Sequence, residues 1–125
     1  MAAALPDEAI RLAVEHANRA PSPLSAVAIE YYGGAAGRVP NDATAYPHRD
    51  VPWHVLALAQ WTDPGELAQH RDWARAAGAA LQPFAHQAQF LSVIDVDGDD
   101  AVGNAFGANL VRLSAIKTKY DPANF

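Results

Sequence analysis

Apolar residues fall at helical spacing near the start of the chain, at alternate positions soon after, and in a nearly unbroken run around its middle. Ile10, Ala13, Val14 and Ala17 recur every three or four residues behind Pro6-Asp7-Glu8. That opening puts proline in the first turn of a helix and acids at the positive end of its dipole, and Pro21 and Pro23 end it. From Ser25 to Tyr32 the period becomes two, with Val27, Ile29 and Tyr31 on one face and Ala26, Ala28 and Glu30 on the other. Gly33-Gly34-Ala35-Ala36-Gly37 breaks this strand, and Arg38 to Val51 is rich in turn residues. Trp53 to Trp61 predicts a second strand, apolar on both faces except at His54 and Gln60. Such a strand is covered by protein on both sides, or by protein on one and a ligand on the other.

Asp63-Pro64-Gly65-Glu66 starts a second helix, with an Asp cap, proline at the first helical position and Glu three residues after the cap. It runs to Gln82, burying Leu67, Ala74, Ala77 and Leu81, and Pro83 stops it. Gln87 to Asp95 reads as a third strand, Asp97 to Asp100 as a turn, and Ala101 to Lys119 as a final helix. Gly103 and Gly107 lie four apart there and predict close contact between that helix and a sheet. The order is α-β-β-α-β-α, an α+β domain in which a short antiparallel or mixed sheet of about three strands is covered by helices. The unit from Trp53 to Asp95 should cross right-handedly, and Ser25–Tyr32 is the segment able to fill a slot between its strands. So narrow a sheet has two edges to cover, which predicts a homodimer through an edge or completion of a sheet begun elsewhere.

Composition narrows the classes. With 125 residues, half of them hydrophobic and 18% charged, the chain is expected to close one core. It has no cysteine, hence no disulfide, thiolate nucleophile or cysteine-bound metal. The net charge of −5 argues against a nucleic-acid partner. No apolar run is long enough to span a membrane, and Met1-Ala2-Ala3-Ala4-Leu5 lacks the features of a secretory signal, so a cytoplasmic location is expected.

Candidate chemistry is sparse. His16, His48, His54, His70 and His86 include no pair at the spacing of a helical zinc site, and no metal is expected. A buried histidine ordinarily satisfies a backbone partner. If one moves a proton, His54 is the first candidate, because its strand faces the expected cavity, and His48 in the Pro-His-Arg turn is the second. Asp95-Val96-Asp97-Gly98-Asp99-Asp100 starts like a calcium loop but has Asp100 where glycine is required and Phe106 where the closing Glu belongs. Tyr31, Tyr32, Trp53 and Phe90 could line a pocket for an apolar small molecule, or simply belong to the core.

One tract is distinctive. Phe106-Gly107-Ala108-Asn109-Leu110, then Arg112-Leu113, Ile116-Lys117 and Tyr120-Asp121-Pro122-Ala123-Asn124, resembles the C-terminal signature of the berberine-bridge-enzyme-like, FAD-linked oxidoreductases. Its usual form is Tyr-Gly-x-Asn-Tyr, Arg-Leu, Ile-Lys and Tyr-Asp-Pro-x-Asn. Gly37-Arg38-Val39-Pro40, Tyr46-Pro47-His48-Arg49-Asp50 and Trp61-Thr62-Asp63-Pro64 follow that family's substrate domain in order and spacing. The resemblance implies FAD as the family's cofactor, hydride transfer from an alcohol or C–H bond, and Tyr120 and Asn124 at positions near the flavin. It also implies substrate contact at Leu56, where the family often has Gln, and at Phe90 and Ser92 on the third strand. The usual Tyr-x-Asn-Tyr-x-Asp there reads Phe90-Leu91-Ser92-Val93-Ile94-Asp95, so the phenolic base falls at Val93. Valine cannot accept a proton. These residues include no counterpart of the family's flavin-binding domain, so the isolated chain is expected neither to hold FAD nor to oxidise alone, and a separate flavin-binding subunit is implied. Two other readings stay open: a non-oxidative binding protein or cyclase with an apolar pocket, and a module that adds a strand to a partner's sheet.

Overall fold

The computed structural model describes residues 1–85 and 101–124. They fall into two units, Met1–Tyr32 with Val51–His86, and Gly33–Asp50 with Gln87–Phe125. The expected third strand, Gln87 to Asp95, and the crossover leading to it lie outside the described residues.

In the first unit, α1 (Asp7–Asn18) begins with Asp7 and Glu8 in its first turn, as its sequence requires. Its buried positions are Ala9 and Ala13, whereas Ile10 and Val14 are 42% and 55% exposed. The helix therefore seats on its small side chains. Glu8, Arg11, Glu15 and Arg19 form an exposed ladder of ion pairs at 2.7–2.9 Å, which solvent screens.

The second helix, α2 (Leu67–Leu81), is preceded by a 3-10 turn, Pro64–Glu66, whose cap Asp63 accepts from the Gly65 N–H at 2.8 Å. Ala77 is buried as expected, but Leu67 is half exposed at the first helical position. The stripe is completed instead by His70 and Trp73. The Trp73 indole donates to the His16 carbonyl at 2.9 Å, tying α2 to the end of α1. His70 is fully buried, stacked at 4.8 Å on Trp61 and 3.3 Å from a Glu66 carboxylate oxygen.

Strands β1 (Ala26–Tyr31) and β2 (Trp53–Leu58) pair antiparallel, Ala26 opposite Leu58 and Tyr31 opposite Trp53. The Ser25 hydroxyl closes one end, donating to the Gln60 carbonyl and accepting from the Gln60 N–H. On the other side of β2, Ala2 and Trp53 exchange both backbone bonds. Both helices meet the sheet face that carries Val55 and Ala57, around a cavity of about 150 Å³ reached by Ala9, Gly78, Leu81 and Phe84.

The second unit corrects the expected final helix. Ala101 to Lys119 is not continuous: α3 (Ala101–Phe106) gives way to a 3-10 turn, Gly107–Asn109, before α4 (Leu110–Tyr120). The cause is Gly107, whose φ of +48° is a left-handed conformation that glycine adopts at little cost. A Cβ there would lie 3.7 Å from Pro47 and 3.9 Å from His48, while one on Gly103 would meet nothing. Gly107 thus serves the turn between α3 and α4. Among the described residues, no helix is long and apolar enough to cross a membrane.

Candidate functional site

Register decides which candidates share a surface. Because the Trp53 N–H and C=O are turned toward Ala2, alternate residues of β2 point theirs at β1. Glu30 and His54 are therefore a hydrogen-bonded pair, directly opposite each other on the face shared with Ala28 and Leu56. Tyr31 and Trp53 pair on the other face, with ring centroids 4.7 Å apart. His54 and Leu56 come together, as do Tyr31 and Trp53, but the two sets are separated by the sheet. Phe90 and Ser92 lie outside the described residues.

The first face carries a polar cluster. One Glu30 carboxylate oxygen accepts from the Tyr32 hydroxyl at 2.7 Å and lies 3.1 Å from His54 Nδ1. Those two bonds, Tyr32 first, hold the Glu30 carboxyl below its ordinary range. An ionised carboxylate only accepts, so Nδ1 carries the proton that joins the pair. In the neutral ring the lone pair then belongs to Nε2. His54 is buried, 6% exposed, while Glu30 keeps about half its side-chain surface in solvent. Sequence reasoning gave Glu30 no role and saw Tyr32 only as a pocket-lining ring. The available signal was Glu30, the one charged residue of β1, with a phenol two positions on.

His48 stands in a different setting. Its Nε2 is 2.7 Å from the Asn104 carbonyl, to which it donates, and its ring meets Tyr46 edge-on. Around it the loop before β2 is fastened to the last helices. The Asn109 amide donates to the carbonyls of Asn41 (2.7 Å) and Thr44 (3.1 Å), and Arg112 donates to the Asp42 carbonyl. Arg49 reaches the Ala36 carbonyl and the Thr44 hydroxyl, with its guanidinium over the Tyr46 ring. Tyr120 is 74% exposed at the end of α4, with the Lys119 ammonium 4.9 Å above its ring. Lys117 and Asp121 pair at 2.6 Å beside it, and Asn124 is exposed with φ of 55°. Among the described residues no group of three or more His, Asp or Glu side chains could hold a metal.

Residues 89–125 match the family described as berberine and berberine like. Over 120 residues the chain is 32% identical to the uncharacterized FAD-linked oxidoreductase YgaK of Bacillus subtilis, covering 96% of this chain and 26% of that protein. The chain is related to the berberine-bridge-enzyme-like, FAD-linked oxidoreductases. It spans about a quarter of the length of the curated relative it matches. BBE-like 1 of Physcomitrella patens shares the fold, with a TM-score of 0.80 at 22% identity, over 96% of this chain and 26% of that one. A glycopeptide hexose oxidase crystallised with teicoplanin superposes with a TM-score of 0.78 at 27% identity, over 96% and 28%.

The berberine-bridge-enzyme-like signature has a structural meaning in this chain. Its glycine is Gly107, which turns the backbone, its asparagine is Asn109, which clasps the loop, and its arginine is Arg112, which adds a third bond.

FAD is the cofactor that this kinship implies, and the described residues fit it only in part. An exposed Tyr120 ring and Asn124 amide suit the edge of a flat heterocycle. A glycine loop opening a helix N-terminus is a common cradle for a diphosphate. The glycine run here leads instead into the one-turn Ala36–Arg38, with the Gly37 α-carbon turned to the Arg49 carbonyl.

Proposed function

We propose that this chain is the substrate-side layer of an FAD-linked oxidoreductase acting on an alcohol or an activated C–H bond, and that it does not retain FAD by itself. The observation that carries the reading is the match along 96% of the chain to an FAD-linked oxidoreductase, supported by the Gly107–Asn109 clasp that uses the signature's own residues. In this reading the flavin's diphosphate is held by a separate flavin-binding subunit or segment, and the sheet face with Ala28, His54 and Leu56 lies toward substrate.

The test has two halves. The purified chain, mixed with FAD and desalted, should be colourless and elute without flavin. A chimera in which it replaces the corresponding quarter of the Bacillus subtilis relative should be yellow and bleach anaerobically with an alcohol. A yellow isolated chain refutes the claim about cofactor retention, and a colourless chimera refutes the oxidoreductase reading as a whole.

A further inference from the structure

We propose that the cavity on the helix side of the sheet is a binding site for a neutral, single-ring aromatic molecule, entered beside Gly78. Its walls come from the opening residues, α1, β2 and the end of α2, all in the first unit. Ala2 and Ala9 are buried at its floor, while Gly78, Gln82 and Ala85 are its exposed residues and mark the mouth. Val55 and Ala57, which line it, alternate with His54 and Leu56 along β2. The cavity therefore lies on the opposite face from the substrate side proposed above. Binding there needs neither a flavin nor an alcohol substrate.

Glycine is a poor helix former, second only to proline, yet Gly78 sits in the last turn of α2. No close contact demands it, since an added Cβ would meet no atom within 4 Å. What the missing side chain leaves is an opening into the cavity, one turn before Gln82. A local rule broken without a packing reason, at the mouth of a pocket, points to function. Size and chemistry then choose the occupant. At about 150 Å³ the cavity has the volume of one known to hold benzene. Gln82 is the only polar side chain among its lining residues and none is titratable, so water inside would lack the several polar partners that hold it. Poorly held water is displaced favourably by an apolar group. A charge would lose its hydration there without a partner. Burial likewise holds the amino group of Met1, a lining residue, below its ordinary pKa.

Carbon-13 methyl NMR of the full chain, titrated with toluene, tests the site. The Ala9, Val55, Ala57 and Leu81 methyls should shift saturably, while those of Ala28 and Leu56 on the opposite face should stay. Benzoate, a ring of like size that carries a charge, should move none of them. Gly78→Leu sets a side chain across the mouth in open space, so it should melt no lower than wild type and lose the toluene response. The proposal is overturned by a wild type without saturable shifts, or by benzoate acting as toluene does. A Gly78→Leu variant that melts lower, or that binds toluene as before, overturns it equally. Methyls that shift on dilution and ignore toluene would make the occupant a second copy of the chain, which also overturns it.

Discussion

The side-chain amide of Asn109 lies 2.7 Å from the carbonyl of Asn41, a residue 68 positions earlier, and its second bond goes to Thr44. Asn109 is 8% exposed, so it is an inward-facing polar group whose partners are two loop carbonyls. Replacing it with alanine removes both bonds and should cost about 1–3 kcal/mol. Asn109→Asp keeps the shape but sets an acceptor against two acceptors, so it should be at least as damaging at neutral pH. Urea titration followed by circular dichroism measures both. Midpoints equal to wild type would remove the clasp from the account of the signature.

Gly107 and Gly103 offer a matched pair. At Gly107 the backbone is left-handed, and alanine there should destabilise by about 1–2 kcal/mol. The cost is conformational, because its methyl would sit in ordinary contact with Pro47 at 3.7 Å. Gly103 lies inside α3 with open space around it, so alanine there should stabilise by about 0.5–1 kcal/mol. Thermal melts of the two variants should move in opposite directions.

Much of this architecture was legible in the sequence because it is written in local chemistry. Proline and acids mark the start of α1, the Asp63-Pro64 cap marks the approach to α2, and the two-residue period marks β1. What failed were the inferences that need a third dimension. Periodicity cannot say that α1 seats on Ala9 and Ala13 rather than on Ile10 and Val14, since how closely a helix approaches a sheet is a packing outcome. It cannot place Glu30 opposite His54, because the segment between β1 and β2 belongs to another unit and fixes no register locally. Hydropathy also hid His70, a polar residue that does packing expected of Leu67.

The Trp73 indole gives the first unit a polar tie between its helices. Trp73→Phe keeps most of the apolar surface but leaves the His16 carbonyl without that donor, and should cost about 1–2 kcal/mol. Trp73→Ala adds a cavity and should cost about 3–5 kcal/mol. If the two variants melt together, the hydrogen bond rather than the ring carries the stability, contrary to the burial of Trp73 at 8% exposure.

Acid should release the Glu30 cluster. The folded-state carboxyl titrates below its ordinary value of 4.5 because Tyr32, then His54, donate to it. A depressed carboxylate contributes stability that is fully present above its unfolded-state value and is lost as pH falls through the folded one. Glu30→Gln cannot ionise and lacks that contribution at every pH. The stability difference between wild type and Glu30→Gln should therefore be constant at neutral pH and shrink from about pH 4.5 downward. Glu8, drawn down in the same direction by its hydrogen bond to Arg11 on exposed α1, is the control for ordinary surface behaviour. Its Gln variant tests whether acid sensitivity is general or belongs to the strand pair. Denaturation midpoints for the three proteins across that range decide the matter. Wild-type and Glu30→Gln curves that stay parallel through the acid limb would mean that Tyr32 and His54 do not hold the carboxylate in solution.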